Sequence, residues 1–139
     1  RVALGADGAP CNNDLDGFLE LRLAGLLHKP GSGPTALPAR QAFELATLCG
    51  ARALGLEQEI GSLEVGKRAD VVVVDVERLH VVPTACVYSM LVYAVRASDV
   101  RDVIVDGRVV VRDGELQTLD EGTVIARARA ARRRLDARA

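Results

Sequence analysis

The sequence has few of the residues that usually carry chemistry. It holds two tyrosines, two phenylalanines and no tryptophan, so its core must be aliphatic and rich in alanine. Its two histidines, His28 and His80, are far apart, and neither has a partner at metal-ligand spacing. The three cysteines, Cys11, Cys49 and Cys86, are odd in number and form no C-x-x-C pair, which fits reduced thiols in a cytoplasmic protein. No apolar run reaches the roughly 20 residues that cross a bilayer, and no signal-peptide pattern is present. Neither sign of charge dominates: the net charge is −1, which argues against nucleic acid as a general partner.

What remains is enough for one ordinary domain: 139 residues, of which 49% are hydrophobic. The first sixteen residues organise the rest. Val2 to Leu4 is a short apolar run ending at Gly5, and residues 2–7 are predicted to form a buried strand of the parallel type. Asp7 follows, then Asn12, Asn13 and Asp14 as helix N-cap candidates. From Leu15 the apolar positions Leu15, Phe18, Leu19, Leu23, Leu26 and Leu27 are spaced for one helix face. Asp14, Asp16 and Glu20 complement the start of that helix and Lys29 its end, and Pro30 to Pro34, with two glycines between, is expected to stop it. Strand, carboxylate turn and helix make one β/α unit.

Pro38 predicts the first turn of a second helix. On it, Ala39, Phe43, Ala46, Gly50 and Ala53 form a stripe of mostly small side chains, and Gly55 is the C-cap. The composition shifts near residue 58. A turn-rich stretch from Ile60 to Asp70 leads into Val71–Val74, a β-prone run. Thr84 to Val95 has helical spacing. Val103 to Val111 is two β-runs joined by Asp106-Gly107, a two-residue hairpin signal, and Asp113-Gly114 marks a second turn. From Asp120 the chain is helical and rich in alanine and arginine.

Asp7 is the strongest candidate for chemistry. A carboxylate at the C-terminal end of a strand can ligate a divalent metal and take a proton from water bound to it. The plain alternative is a turn-former, since Asp-Gly is a common turn pair. Gly61 to Lys67 matches the phosphate loop G-x-x-x-x-G-K, but Arg68 stands where a Ser or Thr must hold Mg²⁺, and a strand follows instead of a helix. Nucleotide binding is rejected. His28 and His80 are expected to be structural and Cys11 a packed thiol. The arginine-rich tail lacks interleaved aromatics and is interrupted by Asp136, which favours a solvated helix over a phosphate-binding one.

These residues resemble the metal-dependent amidohydrolases, most closely the branch of cytosine, guanine and adenosine-type deaminases and triazine chlorohydrolases. Val2-Ala-Leu-Gly-Ala-Asp7-Gly with Asn12-Asn13-Asp14-Leu15-Asp16 is similar to barrel strand eight and the loop after it. Thr47 to Leu56 resembles the helix that follows. Ile60-Gly-Ser-Leu-Glu-Val-Gly-Lys-Arg-Ala-Asp70-Val-Val-Val-Val-Asp75 is the most specific likeness, to the re-entry into a composite β-sandwich. Val100 to Gly114 resembles the closing hairpin of that sandwich.

The resemblance implies an α/β fold: residues 1–58 as the last β/α unit of a (β/α)8 TIM-type barrel, 59–119 as part of the composite β-sandwich with an inserted helix, and 120–139 as a C-terminal helix. It implies that Asp7 binds, or lies against, a catalytic Zn²⁺ or Fe²⁺ and shuttles the proton of the attacking water. Ala6 stands where the family has a small hydroxyl residue. Asn12 and Asn13 match loop positions near the substrate pocket. The implied reaction is hydrolytic deamination or dechlorination of a purine, pyrimidine or triazine ring.

The family's His-x-His, its later metal histidines and its general-acid glutamate have no counterpart in these residues. The chain opens on Arg1, without methionine and inside an apolar strand pattern. The expectation is therefore a C-terminal fragment whose partner is the N-terminal portion of the same enzyme. Alone it should be inactive and should not bind the metal, because open catalytic sites need about three protein ligands. The intact enzyme is expected to be a homo-oligomer with a small heterocyclic substrate. The competing readings are a non-catalytic binding or scaffold module that kept this tail, and one piece of a nicked enzyme.

Overall fold

A computed structural model describes residues 2–137. Arg1 and the last two residues of the predicted C-terminal helix, 138 and 139, lie outside the described residues. Four helical segments come first: α1 (Gly17–Leu27), α2 (Lys29–Ser32), α3 (Ala39–Ala46) and α4 (Leu48–Leu54). Strand β1 (Val71–Val74) follows, then α5 (Val87–Ser89) running into a π-helical turn, Met90–Ala94. A short 3-10 turn, Ala97–Asp99, leads into strands β2 (Val100–Val105), β3 (Arg108–Arg112) and β4 (Glu115–Leu116), and α6 (Glu121–Asp136) follows them.

The four strands form one antiparallel sheet in chain order. β1 pairs with β2 from Val71↔Ile104 to Val74↔Val100, and β2 pairs with β3 through Val103↔Val111 and Val105↔Arg108. Asp106 and Gly107 turn the hairpin with φ of 50° and 76°, the doubly left-handed geometry that a two-residue hairpin loop requires. Asp113 and Gly114 repeat it at 50° and 81°. The hairpin tip is tied to the segment before β1, where Asp70 Oδ1 accepts from the Asp106 N–H at 2.7 Å and Ala69 O from Gly107 at 3.0 Å.

Two aliphatic clusters share the helical segment 87–94. Leu21, Ala42 and Val92 are buried together with Leu4, Phe43 and Tyr93 around them, whereas Val81, Met90 and Val95 pack with Phe18, Val74 and Val76. The π turn, closed by the Val95 N–H on Met90 O, widens the helix by one residue. It sends Val92 toward α1 and α3, and Val95 toward the side of the sheet. A close approach at Gly25 brings α1 against this turn: a Cβ there would lie 3.0 Å from Val92 Cγ1 and 3.1 Å from Tyr93 Cε1.

Several expectations need correction. Residues 2–7 form no strand: the segment has no strand partner among the described residues and Val2 is exposed, while Leu4 joins it to the helices by its N–H on Leu45 O at 3.0 Å and by packing on the Leu21, Ala42 and Val92 cluster. A strand exists by pairing, and apolar composition cannot supply the neighbour. The cap of α1 is Asp16, which accepts from Phe18 and Leu19 N–H; Asn12, Asn13 and Asp14 do not cap it. Pro30 does not end helical structure; it lies in the first turn of α2, where its missing N–H costs nothing.

The second predicted helix breaks at Thr47, whose hydroxyl bonds Phe43 O at 3.0 Å and competes with the backbone ladder. The break shifts the buried face from the predicted stripe to Ala42 and Ala51, and leaves Ala46 and Ala53 exposed. The helix expected over 84–95 is confined to 87–94. Cys11 is exposed, not packed, and all three cysteines are free thiols.

Candidate active site

The loop from Asp7 to Asp16 is held by its own polar groups and by Glu20 of α1. Asp7 has φ of 58°, a left-handed conformation that aspartate tolerates better than most residues. Its Oδ1 accepts from the Gly8 N–H at 2.7 Å. The side chain is exposed, and no ion pair or second hydrogen bond engages its other oxygen among the described residues. The Gly8 carbonyl then accepts from Cys11 and Asn12 at 2.8 and 2.9 Å, closing one turn after Asp7.

Asn12 and Asn13 differ. Asn12 is half-buried and engaged at both ends: Oδ1 accepts from Asp14 and Leu15 N–H at 3.2 and 3.3 Å, and Nδ2 donates to Glu20 Oε1 at 2.6 Å. Asn13 is exposed, its amide carrying no hydrogen bond among the described residues. Leu15 takes φ of 55°, a conformation that costs a non-glycine residue about 1–2 kcal/mol. The Asn12 bond behind it and the Asp16 cap after it hold that geometry. Glu20, expected only to complement the helix dipole, is thus part of the loop's scaffold. Nothing local in the sequence marks it, because an acid in a first helical turn is ordinary.

The described residues do not complete a metal centre. Among the described residues no three His, Cys, Asp or Glu side chains come together. Asp7 offers one carboxylate donor where an open catalytic site takes about three protein ligands. A cavity of about 340 Å³ between α1 and the 3-10 turn, lined by Asp16, Phe18, Arg22 and Arg96, does not include Asp7.

The remaining candidates fall outside this loop. Lys67 is spent on its own loop, donating to Glu57 O at 2.7 Å and Ser62 Oγ at 2.6 Å, and the segment runs into β1, as no phosphate loop does. His80 does have a partner that its sequence context concealed. Its Nε2 lies 2.8 Å from Oδ2 of Asp99, which is 3% exposed and also accepts from the Arg96 N–H. Burial pushes the Asp99 carboxyl up, but the His80 and Arg96 hydrogen bonds and the nearby His80 and Arg78 charges outweigh it. The group ends below the usual aspartate value. This pair fastens the loop after β1 to the turn before β2. The tail helix α6 is exposed along nearly all its length, with Arg132 paired to Asp136.

Residues 1–110 match the amidohydrolase family. The chain is 52% identical to a 5-methylthioadenosine/S-adenosylhomocysteine deaminase of Moorella thermoacetica over 91% of its own length and 30% of the relative's. A crystal structure of an adenosine deaminase from Xanthomonas campestris with bound zinc matches 97% of the chain with a TM-score of 0.93 and 43% identity, over 31% of that structure. An atrazine chlorohydrolase from Arthrobacter aurescens, complexed with zinc, matches 88% with a TM-score of 0.78 and 26% identity, over 28% of its chain. The chain spans about 30% of the length of the curated relatives it matches.

Proposed function

The chain belongs to the amidohydrolase family, and from that premise we propose that it is the C-terminal part of a hydrolytic deaminase of an adenosine-type nucleoside. One observation carries the reading. The loop presenting Asp7 and Asn13 lies within a stretch 43% identical to an adenosine deaminase of the same local fold. In this reading residues 2–7 take the place of the eighth barrel strand once neighbouring strands supply pairing, and the four-stranded sheet is part of the composite sandwich.

Asp7 is the residue of this chain that would help hold the metal, zinc by analogy with the two zinc-bound relatives and iron as the alternative. Such a metal, when bound, supplies a water made acidic near neutral pH. Asp7 would take and return a proton at Oδ2, the oxygen that Gly8 leaves free. Its exposure in this chain suits a group whose partners come from elsewhere in the enzyme. Asn13, with its amide unengaged, is the better placed of the two asparagines to meet substrate, and Asn12 shapes the loop.

The competing reading is a binding module without catalysis that kept this tail. The test is ammonia release by the metal-loaded full-length protein across adenosine, 5-methylthioadenosine, S-adenosylhomocysteine, guanine and cytosine, with chloride release measured from a chlorotriazine. Release from the adenosine-type nucleosides is expected. Release of neither ammonia nor chloride from any of them would favour the module.

A further inference from the structure

We propose that Glu20 is a positioning residue for this site: from the first turn of α1 it holds Asn12, and through Asn12 it fixes the loop that presents Asp7 and Asn13. The inference rests on the deaminase reading for its kinetic consequence, but its structural half stands without it. The links are continuous. Glu20 Oε1 accepts from Asn12 Nδ2 at 2.6 Å, the Asn12 N–H reaches Gly8 O at 2.9 Å, and the Gly8 N–H holds Asp7 Oδ1 at 2.7 Å. From its other end, Asn12 Oδ1 binds the Asp14 and Leu15 amides. Asn12 therefore joins both halves of the loop, and among the described residues Glu20 is its one tie to a helix.

The geometry argues for a purpose beyond helix stability. An acid in the first turn needs no specific partner to favour the helix dipole. Here the carboxylate instead reaches back across the N-cap to a residue eight positions earlier. A hydrogen bond to a charged group is stronger than a neutral one. It acts on a segment carrying two non-glycine residues at positive φ, Asp7 and Leu15, which persist only when their surroundings over-determine them. A loop freed at Asn12 would let Asp7 wander, and a misplacement of about 1 Å can cost about 100-fold in rate.

The test compares Glu20→Ala, Glu20→Gln and Asn12→Ala in the full-length protein, by amide hydrogen exchange and by steady-state kinetics. In Glu20→Ala the amides of residues 11–15 should exchange about tenfold faster, the opening that follows loss of one charged hydrogen bond. Its kcat should fall about 10- to 100-fold, with KM changed less than about threefold, because Glu20 touches no substrate. Glu20→Gln keeps an acceptor oxygen and should restore both to within a few-fold. Glu20→Ala added to Asn12→Ala should cost little more, since Glu20 acts through the Asn12 amide, whereas Asn12→Ala by itself also loses the Asp14 and Leu15 bonds.

Glu20→Gln as impaired as Glu20→Ala would mean that an acceptor oxygen facing Asn12 does not hold the loop, and would overturn the proposal. So would unchanged exchange over residues 11–15 in Glu20→Ala. If Glu20→Ala is too unstable to assay, Asn12→Ala carries the same predictions from the loop side. Should the protein release no ammonia from any substrate while the exchange pattern appears and glutamine rescues it, the deaminase reading fails and the positioning role stands.

Discussion

A single methyl group added at Gly61 tests how the segment entering the sheet is docked on α4. Gly61 has φ of +92°, and a Cβ there would lie 2.7 Å from the Cβ of Ala51, a buried residue of α4. Two costs combine in Gly61→Ala. The left-handed backbone costs a non-glycine residue about 1–2 kcal/mol, and forcing the packed contact apart costs about 1–3 kcal/mol more. The expected loss is thus about 2–5 kcal/mol. Gly66 provides the control, because its φ is +94° but nothing lies within 4 Å of its added Cβ. Gly66→Ala should lose the backbone part alone, about 1–2 kcal/mol. Removing the opposing methyl with Ala51→Gly costs about 1 kcal/mol of helix propensity but should recover the collision term in the double variant. The assay is the denaturant midpoint of the full-length protein, monitored with hydrogen exchange over residues 48–66 to confirm that this region opens. Equal losses at the two glycines, or strict additivity of Gly61→Ala and Ala51→Gly, would refute the docking geometry.

Two further outcomes follow from the structure. Asp16→Ala should destabilise α1 by about 1 kcal/mol, since it removes the cap on Phe18 and Leu19, whereas Asp14→Ala should be near neutral; thermal melts of both variants check this, and equal losses would contradict the cap assignment. Asp99 sits below its ordinary value of 3.8 in the folded chain, so its contribution to stability is fully present above that value and is lost as pH falls through the lower folded value. His80→Ala, which removes the hydrogen bond responsible for much of that lowering, should reduce stability at pH 6 and flatten its dependence on pH below about 4. An unchanged acid limb in denaturation measured from pH 2 to 6 would show that the pair does not act.

The parts legible in the sequence were those set by neighbours in the chain. Asp106-Gly107 fixes its own turn, and Val71–Val74 has few options other than a strand. The helix from Gly17 announces itself by periodicity, but its cap does not: Asn12, Asn13 and Asp14 look like the candidates, and hydrogen-bond geometry selects Asp16 instead. What escaped depends on groups far apart or on competition for one carbonyl. Thr47 looks like a helix residue until its hydroxyl takes Phe43 O. Residues 2–7 look like a strand because they are apolar, but pairing needs a partner that these residues do not include. His80 and Asp99 are 19 positions apart and Asn12 and Glu20 eight, at spacings that no periodic pattern marks. Asp7 was visible from its place after an apolar run, and the asparagines after it looked alike. Only the structure separates the engaged Asn12 from the unengaged Asn13.

The central claim is that Asp7 acts in catalysis and is not merely a turn residue, and Asp7→Asn in the full-length protein tests it most directly. Asparagine tolerates the left-handed backbone at φ of 58° and can still accept from the Gly8 N–H, so the loop should keep its shape and the protein its melting temperature. The charge and the proton-accepting oxygen are lost. Ammonia release from an adenosine-type nucleoside should fall about 100- to 10,000-fold, with bound metal measured in the same preparation. Turnover equal to that of the parent protein, at equal metal content, would contradict the account.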